Sequence, residues 1–549
     1  MDKLRVLLLH CGNNIGHKEK SNKNLFFMPM GFFALASMCV AAGADCEIMH
    51  SDIDSIEKID LSQYNIIGMD LQWVNQAYSV ISNSISFKEK NKNIFIFVGG
   101  LTASFFAEEI MLSFPSIDAI ICGYGEKSIY QLCQLFSGDS TGTLKDIENL
   151  VWRQNSKIIK NGITYTYEKS IVDITNYTFF EAMKSFKIYM YLSKYWTRFI
   201  GFSDGSVFFL PIGRGCLANC LHCGGSNYAN RVINNFAGSI LYPHDMVIAN
   251  IQKALSVGFK ILYFEFENED SDIWYMQLFI ELKEMNINVK VVFGAWKLPS
   301  KELIDSISDY GESIIVLSPE TSNEILRRKL KDPRSVYSNH ELESCIEYMN
   351  AKGNVYCQLY FGYFLPGDTF ESVKMTLYYI FCLYNRFRRI EIEYSVYTAD
   401  PGSILSIKAP KLGLKSSVCT LKDYIEIFKK IYLIDNFENK PQDIRLYYPD
   451  NLDEREVILL EGTIYNFQRI LYKYSRVCKS IEYKYGWCIF FNKLLDFTEK
   501  YGFASKKQMD EYIVSLILEL DDEIIKKEYR LDISSTRTFR TGAPLLYRN

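Results

Sequence analysis

The sequence predicts an α/β protein in which two runs of alternating strands and helices precede a mostly helical region. Three observations carry this reading. Short apolar runs bounded by turn residues recur over residues 1–140, separated by segments with helical spacing. The same alternation, with longer helices, resumes over 197–410. Over 411–549 apolar residues fall at helical spacing, in a stretch rich in Tyr, Phe, Leu and Lys. Strand–helix alternation argues for parallel sheets, doubly wound in the first part. A length of 549 residues suits about three domains, with 141–196 left as a connector.

The first sheet is expected from Leu4–His10, Cys46–His50, Ile66–Leu71, Ile94–Val98 and Ala119–Cys122. Helices fit between them near Met30–Ala42, Asn75–Lys88, Ser104–Phe114 and Lys127–Phe136. The connector holds a short hairpin, Ile147–Arg153 followed by Ile158–Gly162. The second run offers six strands: Val207–Leu210, Ile261–Phe266, Val289–Phe293, Ser313–Leu317, Val355–Phe361 and Ile390–Val396. Leu365–Pro366–Gly367–Asp368–Thr369 reads as a turn in which Asp368 or Thr369 caps the next helix. Helices are expected at Leu421–Asp435, Glu454–Tyr474 and Lys507–Lys526.

Composition narrows the function classes. The net charge of -4 comes without a basic block, which argues against nucleic acid as partner. Aromatic residues at 15% are enough for large cores and apolar pockets. Fourteen cysteines lack the dense spacing of a disulfide scaffold, so a reducing, cytoplasmic compartment is expected. The Leu4–Leu9 run is too short for a secretory signal. The uncharged stretch Met28–Ala44 contains Pro29 and Gly31 and falls short of a membrane span, so it reads as a buried helix.

Cys216, Cys220 and Cys223 form a Cys-x3-Cys-x2-Cys loop after the strand at Val207–Leu210, with Gly213 and Gly215 turning the chain. Three thiolates this close can hold three irons of a 4Fe–4S cluster. The fourth iron would then be open to the amino and carboxylate groups of S-adenosylmethionine. The alternatives are zinc held by the three cysteines with His222, or a buried structural group. A strand ending in such a loop resembles the radical S-adenosylmethionine superfamily, whose fold is an open, partial (β/α)6 barrel.

Three further strand ends extend the resemblance. They are Leu71–Gln72–Trp73, Gly99–Gly100–Leu101–Thr102 and Gly123–Tyr124–Gly125–Glu126. In this order, ahead of the cluster loop, they resemble the cobalamin-binding (vitamin B12-dependent) radical S-adenosylmethionine family. The resemblance implies a Rossmann-like cobalamin-binding domain over 1–140, the barrel over 197–410 and a C-terminal helical region over 411–549. It implies a corrin ring across the strand ends, with Leu71, Gln72 and Trp73 near its lower face. Gly99, Gly100 and Gly123 would admit the nucleotide tail, with Thr102 and Glu126 beside them. The cobalt-ligating Asp-x-His-x-x-Gly of another cobalamin domain type is missing, so no histidine is expected on cobalt. His10 reads as a strand-end residue and His17 as a loop residue.

For S-adenosylmethionine the resemblance implies an acidic group at the second barrel strand. The family's Gly-Gly-Glu is replaced by Glu265–Phe266–Glu267–Asn268, so Glu265 and Glu267 both stand as receivers of the ammonium. Ser318 and Glu320, at the fourth strand, match the position that contacts the ribose and carboxylate. Ser322 would cap the helix that follows.

The implied activity is methylation of an unactivated carbon of a small molecule or peptide. It would use a 5′-deoxyadenosyl radical and methylcobalamin, fed by an external one-electron donor such as flavodoxin or ferredoxin. Cyclisation or rearrangement with the same cofactors is the alternative within the enzyme class. A cobalamin or iron–sulfur sensor is the alternative outside it, and the open iron position with a full barrel argues against that. The chain lacks a basic β module of the TRAM type, which argues against the transfer-RNA methylthiotransferase branch.

Overall fold

A computed structural model describes residues 3–12, 28–193, 205–264, 271–432 and 446–534. The first sheet contains β1 (Arg5–His10), β2 (Asp45–His50), β3 (Ile66–Asp70), β4 (Phe95–Gly99), β5 (Ala119–Ile121), β6 (Leu150–Gln154) and β7 (Lys157–Lys160). Their order is β2-β1-β3-β4-β5-β6-β7. β1 to β5 run parallel, and the connector hairpin β6–β7 adds antiparallel strands at the edge. The hairpin therefore extends the sheet, where the sequence showed only a local element. Val6 and Leu8 of β1 pack into one core and Leu7 and Leu9 into another. A strand covered on both faces needs an unbroken apolar run, which is why β1 lacks the alternation of a half-exposed strand. Helix Met30–Ala41 covers one face, as a buried helix should.

The second sheet contains β8 (Val207–Phe209), β11 (Ile261–Phe264), β12 (Lys290–Ala295), β13 (Ser313–Glu320), β14 (Val355–Tyr363) and β15 (Ile390–Val396). All neighbours are parallel, in the order β15-β14-β13-β12-β11-β8. Between β8 and β11 lies a separate antiparallel hairpin, β9 (Gly213–Cys216) with β10 (Gly238–Leu241). The two faces of the large sheet differ. Phe208, Leu262, Phe293 and Leu359 join the helix-covered core. Val207, Ile261, Val292, Ile314 and Val316 form a small inner cluster with Phe209, Tyr263 and Tyr360. The inner face is thus lined by apolar and aromatic side chains.

The C-terminal part opens on a two-stranded pair, β16 (Leu414–Ser416) with β17 (Tyr447–Pro449). Helices follow at Glu454–Lys473, Ser475–Tyr485, Trp487–Tyr501, Lys506–Leu520 and Glu523–Ser534. The periodicity over Lys507–Lys526 suggested one helix. Asp521 instead adopts a left-handed φ of 44° and ends the first helix, and Asp522 accepts Ile524 N and Ile525 N to start the next. Likewise Ser104–Phe114 is two helices, Leu101–Phe105 and Ala107–Ser113. Among the described residues no helix is long and apolar enough to cross a membrane.

One buried amide fastens the C-terminal helices. Asn466 Nδ2 donates to Thr498 Oγ1 at 3.1 Å and to Gly502 O at 2.8 Å, and Asn466 Oδ1 accepts Ala504 N at 3.1 Å. Asn466→Leu strands a buried carbonyl and a buried N–H, which costs about 2 kcal/mol. Urea unfolding should show a lower midpoint for that variant than for wild type.

Candidate functional site

The cysteine loop begins inside β9. Gly215 has φ 75°, and a Cβ there would lie 2.3 Å from Gly238 O and 2.4 Å from the Phe236 ring. Only glycine permits this approach, and it sets Cys216 opposite Gly238. The loop is then tied at nearly every residue. Asn219 N donates to Asp332 Oδ2 at 2.9 Å, and Arg334 bonds both Asp332 and Leu217 O. Leu221 N donates to Leu330 O at 2.9 Å, and Gly224 N to Asp400 Oδ2 at 2.9 Å. Ser226 caps helix Asn227–Asn234, fixing the exit.

Two of the sulfurs accept backbone N–H groups. Ala218 N lies 3.3 Å from Cys216 Sγ and Gly225 N 3.3 Å from Cys223 Sγ. Burial pushes the thiols of Cys216, Cys220 and Cys223 up. A thiolate there needs the charge of bound iron, and the N–H groups suit a thiolate better than a thiol. His222 Nδ1 lies 2.5 Å from Tyr397 Oη at the end of β15. Among the described residues no three His, Cys, Asp or Glu side chains converge to hold a single ion.

Beside the loop, β13 ends in Ser318–Pro319–Glu320. Glu320 is buried, with φ 65°, at an irregularity that shifts the register against β14. Arg327 holds this end in place. Its guanidinium is fully buried and donates to Pro319 O at 2.9 Å, Thr321 O at 2.5 Å, Tyr337 O at 2.8 Å and Asn339 Oδ1 at 2.7 Å. Lys331 Nζ donates to Ser318 O at 2.7 Å. The helix cap expected at Ser322 belongs to Asn323, whose Oδ1 accepts Ile325 N and Leu326 N. The Ser322 hydroxyl instead lies 3.1 Å from Thr376 Oγ1. After β14, Thr369 caps helix Phe370–Arg386, and Asp368 accepts Leu365 N and Ser372 Oγ. Glu265 and Glu267 lie outside the described residues.

The strand ends of the first sheet form one bonded crest. Leu71 is buried and its N donates to Gly99 O at 2.8 Å. Gln76 Oε1 accepts both Gln72 N and Trp73 N, while Gln72 Oε1 accepts Leu101 N at 3.3 Å. Gly100 has φ 107°, and a Cβ there would meet Leu71 O at 2.8 Å. Its freedom therefore serves the approach of two loops. Gly99 packs near Ile121 O, and Gly123, with φ 68°, faces Asn234 of the cluster-loop helix. The Thr102 hydroxyl is buried on Gln72 O at 2.9 Å. The Glu126 carboxylate is buried against Arg214 at 2.6 Å. Thr102 and Glu126 thus face protein, not the open crest. Trp73 is 42% exposed there. His10 sits at the end of β1 with Nδ1 2.5 Å from Asp70 Oδ2.

Sequence reasoning missed Arg214, Arg327, Tyr397 and Asp400. Only Arg214 carried a local signal, by its place two residues before Cys216. Gly215→Ala should lower iron and sulfide per chain after anaerobic reconstitution, because the added methyl displaces Cys216. Full iron loading in that variant would contradict this geometry.

No protein-family model and no curated protein matches the chain. Solved structures do. The radical S-adenosylmethionine methyltransferase TsrM from Kitasatospora setae, with cobalamin and a [4Fe-4S] cluster bound, matches with a TM-score of 0.56 at 12% identity, covering 77% of this chain and 81% of that one. TsrM with tryptophan and the S-adenosylmethionine analogue aza-SAM matches with a TM-score of 0.56 at 12% identity, covering 83% and 88%. The chain therefore shares the fold of that methyltransferase over most of its length.

Proposed function

We propose that this chain is a cobalamin-dependent radical S-adenosylmethionine enzyme that methylates an unactivated carbon of a small molecule or peptide. The observation that supports it most is the cysteine loop at the carboxyl edge of the six-stranded sheet, packed against the crest of the first sheet. In this reading 1–140 holds cobalamin, 197–410 holds the cluster and S-adenosylmethionine, and 411–549 shapes access. Cys216, Cys220 and Cys223 would each take one iron. Glu320 and Ser318, with Glu265 or Glu267, would orient S-adenosylmethionine. Leu71, Gln72 and Trp73 would lie under the corrin. When bound, these cofactors supply a one-electron cleavage and a transferable methyl group. The chain's own part is to position them and exclude water, and the apolar inner face of the barrel suits both roles. Flavodoxin or ferredoxin in the cytoplasm would supply the electron.

No histidine is assigned to cobalt, since the chain lacks the Asp-x-His-x-x-Gly pattern whose histidine ligates cobalt in another type of cobalamin domain. The reduced cobalt(II) form should then show an electron paramagnetic resonance spectrum without nitrogen superhyperfine splitting. Strong splitting would point to a histidine ligand.

The reaction itself is tested by its coproducts. One S-adenosylmethionine molecule cannot serve both as methyl donor and as radical source. Methylation should therefore yield S-adenosylhomocysteine and 5′-deoxyadenosine in equal amounts with product, after correction for uncoupled cleavage. 5′-Deoxyadenosine without matching S-adenosylhomocysteine, and product without the mass of a methyl group, would support cyclisation or rearrangement instead.

A further inference from the structure

Arg214 lies on β9, two residues before Cys216, yet its side chain leaves the cluster hairpin and enters the first sheet's territory. Nε donates to Tyr242 Oη at 2.8 Å. Nη1 donates to Tyr165 Oη at 3.4 Å and Thr166 O at 3.2 Å. Nη2 donates to Glu126 Oε1 at 2.6 Å and Tyr177 Oη at 3.2 Å. A guanidinium has five N–H donors, and all are used here. Its face also rests on the Tyr124 ring, 4.6 Å from the centroid. Arg214 and Glu126 are both buried, and Glu126 Oε2 is buried without a protein partner. The pair is thus held by one short bond, with both side chains largely removed from solvent.

Each end of this contact leads to a different cofactor edge. Glu126 is the first residue of helix Glu126–Ser137 and directly follows Gly123–Tyr124–Gly125, the strand-end loop of β5. On the other side, Arg214 passes to Gly215, whose contacts with Gly238 O and Phe236 leave no slack, and then to Cys216. Tyr124 stands edge-on to Phe236, with ring centroids 6.1 Å apart, so the two loops also touch beside the ion pair. A shift of the β5 loop must move Arg214, and with it the first cluster ligand.

We propose that Arg214 is a positioning residue that couples the cobalamin-facing loop at Gly123–Glu126 to the cluster loop, so that loading one cofactor is felt at the other. This rests on the cofactor reading given above. Coupling between two sites is reciprocal in binding free energy. Cobalamin should therefore alter the cluster, and the cluster should alter cobalamin affinity by a matching factor.

Glu126→Gln tests this, since it keeps the shape and one acceptor oxygen while removing the charge and replacing the other oxygen with an NH2 group. Arg214→Lys is the companion variant, which keeps the charge and loses the planar fork. In reconstituted wild type, adding cobalamin should shift the midpoint potential and the g-values of the reduced cluster. In Glu126→Gln, with iron content, bound cobalamin and circular dichroism equal to wild type, that shift should be largely lost. Cobalamin affinity in the variant should no longer depend on the cluster. A shift of undiminished size in Glu126→Gln, or a wild-type cluster indifferent to cobalamin, overturns the proposal. If Glu126→Gln does not fold, Arg214→Lys carries the same comparison. A wild-type chain that takes up no cluster or no cobalamin refutes the cofactor reading, and the coupling falls with it.

Discussion

The buried ion pair between Arg214 and Glu126 is the constraint around which the two sheets are arranged. A guanidinium and a carboxylate removed from water are tolerated only when the surrounding groups satisfy them. Here Tyr165, Tyr177 and Tyr242 supply hydroxyls, and the connector supplies the Thr166 carbonyl. Those partners come from the connector and from the end of β10. The loop after β5, the connector and the cluster hairpin must therefore arrive at one point together. That requirement sets the carboxyl ends of β4 and β5 beside the cysteine loop. Ligands of open α/β sheets bind at such ends, so the ion pair brings two ligand-binding edges to one interface.

The same logic recurs at the end of β13. Arg327 is an arginine with no carboxylate partner among its bonds; it is held by three carbonyls and the Asn339 side chain. Burial alone pushes its proton affinity down. Such a cation stays charged because arginine starts far above neutral pH. It serves to pull Pro319 O and Thr321 O inward, which leaves Glu320 between them in the left-handed region. That conformation is costly for a non-glycine residue, and the surrounding bonds must overdetermine it. Glu320 is thus presented by its neighbours and not by its own preference.

The strands of both sheets were legible because each is covered on at least one face, and apolar runs of three to nine residues between turn residues have few other readings. The hairpin β6–β7 was legible as a hairpin, but its addition to the sheet edge was not, since pairing across β5 leaves no local trace. Helix ends failed where a cap decided them. Asn323 and Ser322 are both capable caps, and the Thr376 hydroxyl draws Ser322 away. At Asp521 a left-handed turn divides a continuous apolar pattern that periodicity alone reads as one helix. The cysteines were legible from spacing. Arg214, Tyr397 and Asp400 were not, because their partners lie 28 to 176 positions away.

Asp400 shows how the cluster loop reconciles negative charge with burial. Three thiolates would place much negative charge in a small volume, and a nearby carboxylate would add to it. Asp332, on one side, is offset by Arg334 and its carboxyl is held below the usual range. Asp400, on the other, has no cation among its hydrogen-bonding partners and accepts Gly224 N; burial raises its carboxyl. A group raised in this way binds its proton more readily in the folded chain than in the unfolded one. Its contribution to stability therefore declines as pH rises from the ordinary aspartate range toward its own raised value. The loop accepts that cost because Asp400 clamps it twice, once through the carboxylate, which holds a backbone N–H more strongly than a neutral side chain would, and once through its backbone, as any non-proline residue could. It fixes Gly224 N beside Cys223, and its own backbone N–H binds His222 O at 3.0 Å, so the residues on either side of the last cysteine are clamped from one residue. Gly224 has to be glycine for the same reason, since a Cβ would lie 2.8 Å from the Asp400 Cβ.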